Sequence, residues 1–402
     1  MGFDFTTVID RSGHDSLATD ALGHGPWAPS VPREGFDVIP MWVADMGFAT
    51  APAVTEAMRK RLEHPIFGYF EQPDAYFDAI VSWHERRNGV TGMRREHIGY
   101  ENGVLGGVMS ALSVLASQGD KVLVHSPCYI GFTAAVGGAG YELVHSPLYL
   151  DDANVWRMDF EDMERRIVED KIHVAIFCSP HNPCGRVWER EEIERAMEVF
   201  EAHDVWVISD EIWSDLVYGG RPHTPTQSAT PWAHEHTVAL YAPSKTFNLA
   251  GLVGSYHVIY NSWLRDRVER ASSLGHYNSQ NVLAMHALIG GYSPEGEAWV
   301  DELRGVLAEN VRTVCDHVDG CWPGVSVSPA EGTYVLLLDC KAWCEVHDVS
   351  NDELVRRAWD VGVAWHDGRI FGSSWCVRLN IALPPTEIAE ALARLDRYVF
   401  VN

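Results

Sequence analysis

The 402-residue chain has no uncharged apolar run approaching the ~20 residues that a membrane-spanning helix needs, so no bilayer crossing is expected. Basic residues are scarce: 31 Lys and Arg stand against 56 Asp and Glu, a formal charge of −25. Phosphate backbones and anionic lipid surfaces are met by clustered Lys and Arg, so nucleic acid and membranes are poor partners. The eight cysteines show no CxxC pair and none of the density of a disulfide scaffold. That pattern reads as reduced thiols in a cytoplasmic protein. Metal-ligand clusters are missing too. His234 and His236 form the one tight histidine pair, nothing nearby completes a site, and the segment reads as a solvated loop. The first residues carry two acids and no apolar core, so no secretory signal is expected. They match the loose myristoylation pattern but lack the basic patch that would support it. Repeats and low-complexity tracts are absent.

What is present is globular and α/β. Hydrophobic residues make up 46% and charged residues 22%, the balance of a folded chain long enough for two or three domains. Residues 1–50, rich in Gly, Pro and Trp, lack periodicity and read as an arm packing on other structure. From residue 51 to 291, short β-rich runs alternate with helical stretches. Helices are expected at Ala51–His64, Asp74–Arg87, Gly103–Ala116 and Glu189–His203. Strands are expected at Lys121–His125, His173–Cys178, Val205–Ser209, Val238–Tyr241 and Ser255–Ile259. Such alternation implies a large domain with a mostly parallel central sheet covered on both faces. Residues 292–402 read as a smaller α+β domain. It opens with an amphipathic helix over Glu295–His317, has strands at Gly332–Leu338, Gly362–Trp365 and Cys376–Ile381, and ends in a helix from Pro385. A cleft between two such domains is the usual place for a small molecule.

Four short segments at expected strand ends and helix starts carry the chemistry, and ligands in open α/β sheets bind there. Glu101-Asn-Gly-Val-Leu-Gly-Gly107 opens a helix with glycines, so its free N–H groups and dipole suit an anion. Ser179-Pro-His-Asn-Pro-Cys-Gly185 can fix the amide of Asn182 at the sheet edge, although Asn, Pro and Gly also make plain turns. Asp210 ends an apolar strand, where an acid is expensive unless it meets a cation; a helix cap is the plainer use of Asp. Lys245, beside Ser244, follows another strand, where desolvation would make its amine a nucleophile. Singly, each has an ordinary explanation. Together they are a phosphate site, a ring-oxygen partner, a ring-nitrogen partner and a cofactor-holding lysine, the needs of pyridoxal 5′-phosphate (PLP).

In these segments the chain resembles the class I/II PLP-dependent aminotransferase family, of fold type I. Asn182 precedes Asp210 by 28 residues and Asp210 precedes Lys245 by 35, as in that family. Met41-Trp-Val-Ala-Asp-Met-Gly-Phe-Ala-Thr-Ala-Pro52, His64-Pro-Ile-Phe-Gly-Tyr69, Ser126-Pro-Cys-Tyr129 and Ser244-Lys-Thr-Phe-Asn-Leu-Ala250 narrow the resemblance. They are similar to the MalY/PatB-type cystathionine β-lyases, or C–S lyases, over nearly the whole chain.

The resemblance implies roles. Lys245 would hold PLP and then take the Cα proton of the substrate. Asp210 would pair with the ring nitrogen, and Asn182 would donate to the ring oxygen. Tyr129 would stack on the ring. The phosphate would sit on Gly103, Val104 and Leu105, helped by Ser244. Tyr69 would reach the phosphate of the other subunit of a homodimer with shared active sites. Arg378 would fork onto the substrate α-carboxylate, the geometry for which its planar donors suit it. The chain also departs from the pattern. Gly47 stands where an acid is usual, His181 replaces Gln or Thr, and Trp213 replaces the Tyr or His of relatives. An indole can donate to the ring oxygen but is no acid or base.

The implied reaction is β-elimination from an S-substituted cysteine, cystathionine-like or bulkier, giving a thiol, pyruvate and ammonia. Transamination, or a decarboxylative or oxidative deamination of a cysteine S-conjugate, begins with the same lysine chemistry and stays open on these motifs.

Overall fold

The computed structural model describes residues 2–274 and 278–401. The large sheet has seven strands: β1 (Ile98–Glu101), β2 (Lys121–Ser126), β3 (Glu142–Pro147), β4 (Val174–Cys178), β5 (Trp206–Asp210), β6 (Thr237–Tyr241) and β7 (Ser255–Val258). Their order is β1-β7-β6-β5-β4-β2-β3, and only β7 runs against its neighbours. All five residues of β4 and of β6 are buried. Near-continuous apolar runs of this kind belong to strands covered on both faces. Register brings the working ends together. Cys178 lies opposite Asp210, and Asp210 opposite Leu240, so the loops leaving β4, β5 and β6 share one edge. Helix α1 (Val104–Leu115) begins beside them, two residues after β1.

A 28-residue helix, α2 (Pro294–Cys321), leads into a four-stranded antiparallel sheet. Its strands are β8 (Ser326–Val327), β9 (Val335–Asp339), β10 (His366–Asp367) and β11 (Cys376–Asn380), in the order β8-β9-β11-β10. Helix α3 (Pro385–Tyr398) follows. The arm is tied down along its length. Phe5 packs on Phe48 and Trp299, with ring centroids 5.3 and 5.4 Å away, and Ile39–Pro40 pairs in parallel with Val363–Ala364.

Three expectations are corrected. The run expected as one strand at Gly362–Trp365 is divided: Val363–Ala364 pairs with the arm, and β10 begins at His366. Strands β1 and β3 lie outside the expected set. One is four residues with a glycine; the other buries Val144 and Ser146 in alternation, but the serine at an inward position hides the hydrophobic pattern. His234 and His236 sit in a short helix, Pro231–His236, with their rings stacked on Tyr260 and Trp232. Among the described residues, no helix is long and apolar enough to cross a membrane, and no cluster of three His, Cys, Asp or Glu is placed to hold a metal.

Candidate active site

A cavity of about 740 Å³ opens at the shared sheet edge, between the large sheet and the small one. Gly103, Val104, Leu105, Tyr129, Asn182, Asp210, Trp213, Ser244, Lys245 and Arg378 all line it. Tyr69 does not. It stands fully exposed on a loop with Phe67 and Phe70, over a separate cavity that Arg95 and Gln280 also line.

Lys245 belongs to a single helical turn, Pro243–Thr246, started by the proline. Its Nζ donates to the carbonyl of Ala44 at 2.6 Å and lies 5.5 Å from the centre of the Trp213 ring. Burial pulls its pKa down to about 8, with Arg378 adding to the fall while Asp45 and Asp210 oppose it. The turn is held from below. Thr246 Oγ1 donates to Asp215 at 2.7 Å, and the other Asp215 oxygen accepts from Trp83 Nε1 at 2.9 Å.

Asp210 ends β5, and its Oδ1 accepts the N–H of Ile212 at 3.1 Å. A turn follows rather than a helix, so the plain capping role does not apply. Burial pushes its pKa up to about 6; the Ile212 N–H and Lys245 oppose this, and Glu211 adds to it. The neighbouring Glu211 shows the contrast. It is equally buried but accepts from His223, Tyr241, Ser209 and the Thr226 N–H, and these hold its pKa low against burial. Glu211 is satisfied by the protein; Asp210, among the described residues, pairs with no cation.

Arg378 lies mid-strand in β11, opposite Leu337 and His366, and is 3% exposed. It donates to Asn182 Oδ1 at 3.2 Å and to the Trp42 carbonyl at 2.8 Å, and its guanidinium lies 4.3 Å from the centre of the Phe371 ring. Its Nε is buried without a partner, and among the described residues no carboxylate pairs with it. Burial lowers its pKa to about 10. A buried guanidinium that keeps its charge calls for an anion.

The start of α1 completes the floor. Gly103 has φ +79°, a conformation that glycine adopts without strain, and no side chain caps the helix. The first N–H groups of a helix lack internal partners, which leaves those of Val104 and Leu105 for an anion. Tyr129 forms a wall. A Cβ at Gly131 would lie 2.3 Å from its ring, so glycine is what lets that ring settle there.

One stretch, marked in the sequence only as part of the resemblance, acts through its backbone. Over residues 42–46 the backbone carbonyls alternate between two sets of partners. Trp42 accepts from Arg378, Ala44 from Lys245 and from Tyr334, and Met46 from Asn248. Val43 and Asp45, between them, both accept from the Asn380 amide. Main-chain acceptors carry no side-chain signature, so composition could not reveal them. Tyr334, T-shaped against Trp213 at 4.6 Å, escaped for a different reason: it sits just before β9 in an unremarkable run. Of the three departures, only Trp213 lines the cavity. His181 is buried edge-on against Trp188, and at Gly47 a Cβ would come within 2.9 Å of Leu383, which fills that space.

Known proteins share this architecture. Over 362 residues the chain is 33% identical to cystathionine β-lyase PatB of Bacillus subtilis, covering 89% of this chain and 92% of that protein. It is 31% identical to protein MalY of Escherichia coli over 404 residues, 98% of each. The PLP-bound C–S lyase of Staphylococcus hominis superposes with a TM-score of 0.89 at 28% identity, covering 100% of this chain and 99% of that one. The pattern of the family described as aminotransferase class I and II matches residues 37–395, so the chain belongs to that family.

Proposed function

We propose that this protein is a PLP-dependent carbon–sulfur β-lyase acting on S-substituted cysteine. The observation that carries the reading is a set of three charges around one cavity, none of them in an ion pair among the described residues: the half-buried Lys245 amine and the buried Asp210 carboxylate and Arg378 guanidinium. The first two fit PLP. Asp210 would hold the proton of the ring nitrogen, Lys245 the aldehyde carbon, and the start of α1 with Ser244 the phosphate. Asn182 would face the ring oxygen, Trp213 would donate beside it, and Tyr129 would lie on the ring face. Arg378 is left for the substrate α-carboxylate. Bound there, PLP supplies an electron sink for the bond electrons released at the substrate Cα.

The protein's own part is positional. Arg378, pinned by Asn182 and Trp42, would set the substrate so that its Cα hydrogen faces Lys245. With a pKa near 8, Lys245 can take that proton at neutral to mildly basic pH. Loss of the Cα proton and of the Cβ–S bond frees the thiol. One water then converts the remaining three-carbon unit to pyruvate and ammonia. A thiolate leaves readily, so Trp213, which is no acid, is no obstacle.

The same reading makes the protein a homodimer, with Tyr69 of the partner subunit reaching the phosphate; the exposed Phe67–Phe70 loop supports this. All eight cysteines are free and seven are buried, which supports a cytoplasmic location. We divide the chain into the arm (1–50), the PLP-binding domain (51–291) and the small domain (292–402). The deciding experiment incubates the PLP-loaded protein with S-substituted cysteines and scores every product. Thiol and pyruvate in equal amounts support elimination. A keto acid that retains its sulfur, or released carbon dioxide, would overturn it in favour of transamination or decarboxylative deamination.

A further inference from the structure

The cavity is larger than a ring and a three-carbon unit require, and it lies within the ~300–1,000 Å³ that enclose whole small ligands. Its outer part is built by the arm. Leu17 and Trp27 line it there, 58% and 50% exposed, with Trp42 and Ile370 deeper in. The arm is fixed in place: Trp42 Nε1 donates to the carbonyl of Ala18 at 2.9 Å, tying the turn that bears Leu17 to the cavity wall. The Trp42 ring also packs edge-on against His366 at 5.5 Å.

Charge in this cavity is confined to one end. Among the described residues lining it, only Asp210, Lys245 and Arg378 carry charge, and the proposed function uses all three. His366 lines it too, but burial and Arg378 keep the ring neutral at ordinary pH. Cystathionine bears a second ammonium and a second carboxylate beyond its sulfur. Beside Trp27, Leu17 and Ile370, those charges would meet apolar surface and no opposite charge among the described residues lining the cavity, and so gain nothing there. An alkyl or aryl group would instead bury apolar surface on the same wall.

We infer that Leu17, Trp27, Trp42 and Ile370 form a subsite for an uncharged apolar group on sulfur, so that alkyl and aryl S-conjugates of cysteine are preferred over cystathionine. The chemistry at sulfur rests on the lyase reading; the preference itself is a property of binding and can be measured apart from it.

The test therefore uses two readouts on PLP-loaded protein. Turnover is compared for S-benzyl-L-cysteine, S-methyl-L-cysteine and L-cystathionine from released thiol and pyruvate. Binding is measured by calorimetry with analogues in which a methylene replaces the sulfur, so that elimination is blocked: 2-amino-5-phenylpentanoate and 2,7-diaminosuberate. The phenyl analogue is expected to bind at least about tenfold more tightly, the scale set by burying one such group. S-benzyl-L-cysteine should exceed cystathionine in kcat/KM by a similar factor. Trp27→Ala and Leu17→Ser, both at exposed positions, should each shrink the binding ratio about threefold or more. Equal or tighter binding of diaminosuberate overturns the subsite, as does a ratio that neither variant moves. If no conjugate yields pyruvate while the analogues keep their ranking, the lyase reading falls and the subsite stands.

Discussion

Lys245 and Tyr334 donate to one acceptor, the carbonyl of Ala44, at 2.6 and 2.9 Å. One donor comes from the turn after β6 and the other from the approach to β9, so the arm residue between them is gripped from both sheets. Trp213 packs on both donors. The amine is thus oriented by a backbone dipole and desolvated by aromatic surface.

The depressed pKa of Lys245 sets a pH window. Only the neutral amine is a nucleophile, so covalent uptake of PLP by the cofactor-free protein should accelerate with pH and level off just above about 8. Stopped-flow absorbance would follow it. A rate still climbing tenfold per unit at pH 9–10 would place the amine at an ordinary lysine value. Borohydride reduction followed by peptide mapping should tag Lys245, and Lys245→Ala should remove the tag.

Asp210 should trade stability for activity. Its pKa is raised from 3.8 to about 6, so the ionised form costs the cofactor-free fold on the order of 2–3 kcal/mol above that pH. Asp210→Asn should therefore raise the melting temperature of the cofactor-free protein at pH 8. It should also lower kcat of the loaded protein by at least about a hundredfold. Near-normal turnover in that variant would show that Asp210 serves only its turn.

Gly131→Ala should act on Tyr129 without touching it chemically. The added Cβ falls 2.3 Å from the Tyr129 ring, so the ring must move off its wall. We expect kcat/KM to fall roughly tenfold, with far-ultraviolet circular dichroism unchanged. If Tyr129→Ala and Gly131→Ala are additive rather than redundant, the glycine acts elsewhere.

Tyr69 can be tested by complementation. Mixed after gentle dissociation, inactive Tyr69→Ala and Lys245→Ala chains should regain about a quarter of the original activity, since half the dimers are mixed and one site of two in each is intact. No recovery from chains shown to exchange would put Tyr69 outside the site.

Acid should weaken the fold from near pH 6.5 downward. His84 and His125 are lowered by burial to about 4, and His181 and His366 to about 3. Between those values and 6.5 the unfolded chain binds the protons that the folded one refuses, so stability falls as pH falls. Each contributes at most about 1.4 kcal/mol per pH unit, and the raised Asp210 and Asp215 offset part. A melting temperature flat from pH 7 to 5 would contradict this.

Much of the candidate site is legible in the sequence because it is made of side chains at strand ends. Asp210 and Lys245 stand out as candidates because an acid ends one apolar run and an amine follows another, and the sheet brings both to one edge. What escaped has no local signal. The Ala44 carbonyl is invisible in composition, and Trp27 and Leu17 lie in an arm without periodicity, positioned only by long-range packing. Among the strands, β1 is too short to show a pattern, and β3 hides its alternation because one of its two inward positions is a serine.

The alternating carbonyls of residues 42–46 carry a last consequence. Even positions serve Arg378, Lys245 and Asn248, and odd positions serve Asn380. Removing or adding a single residue there would exchange the two sets, as a register slip exchanges the faces of a strand. The amine would then meet a carbonyl now spoken for by Asn380, and no side-chain replacement could restore the match. In this stretch, chain length is constrained more tightly than residue identity, so a one-residue deletion should do more harm than any single substitution of Val43.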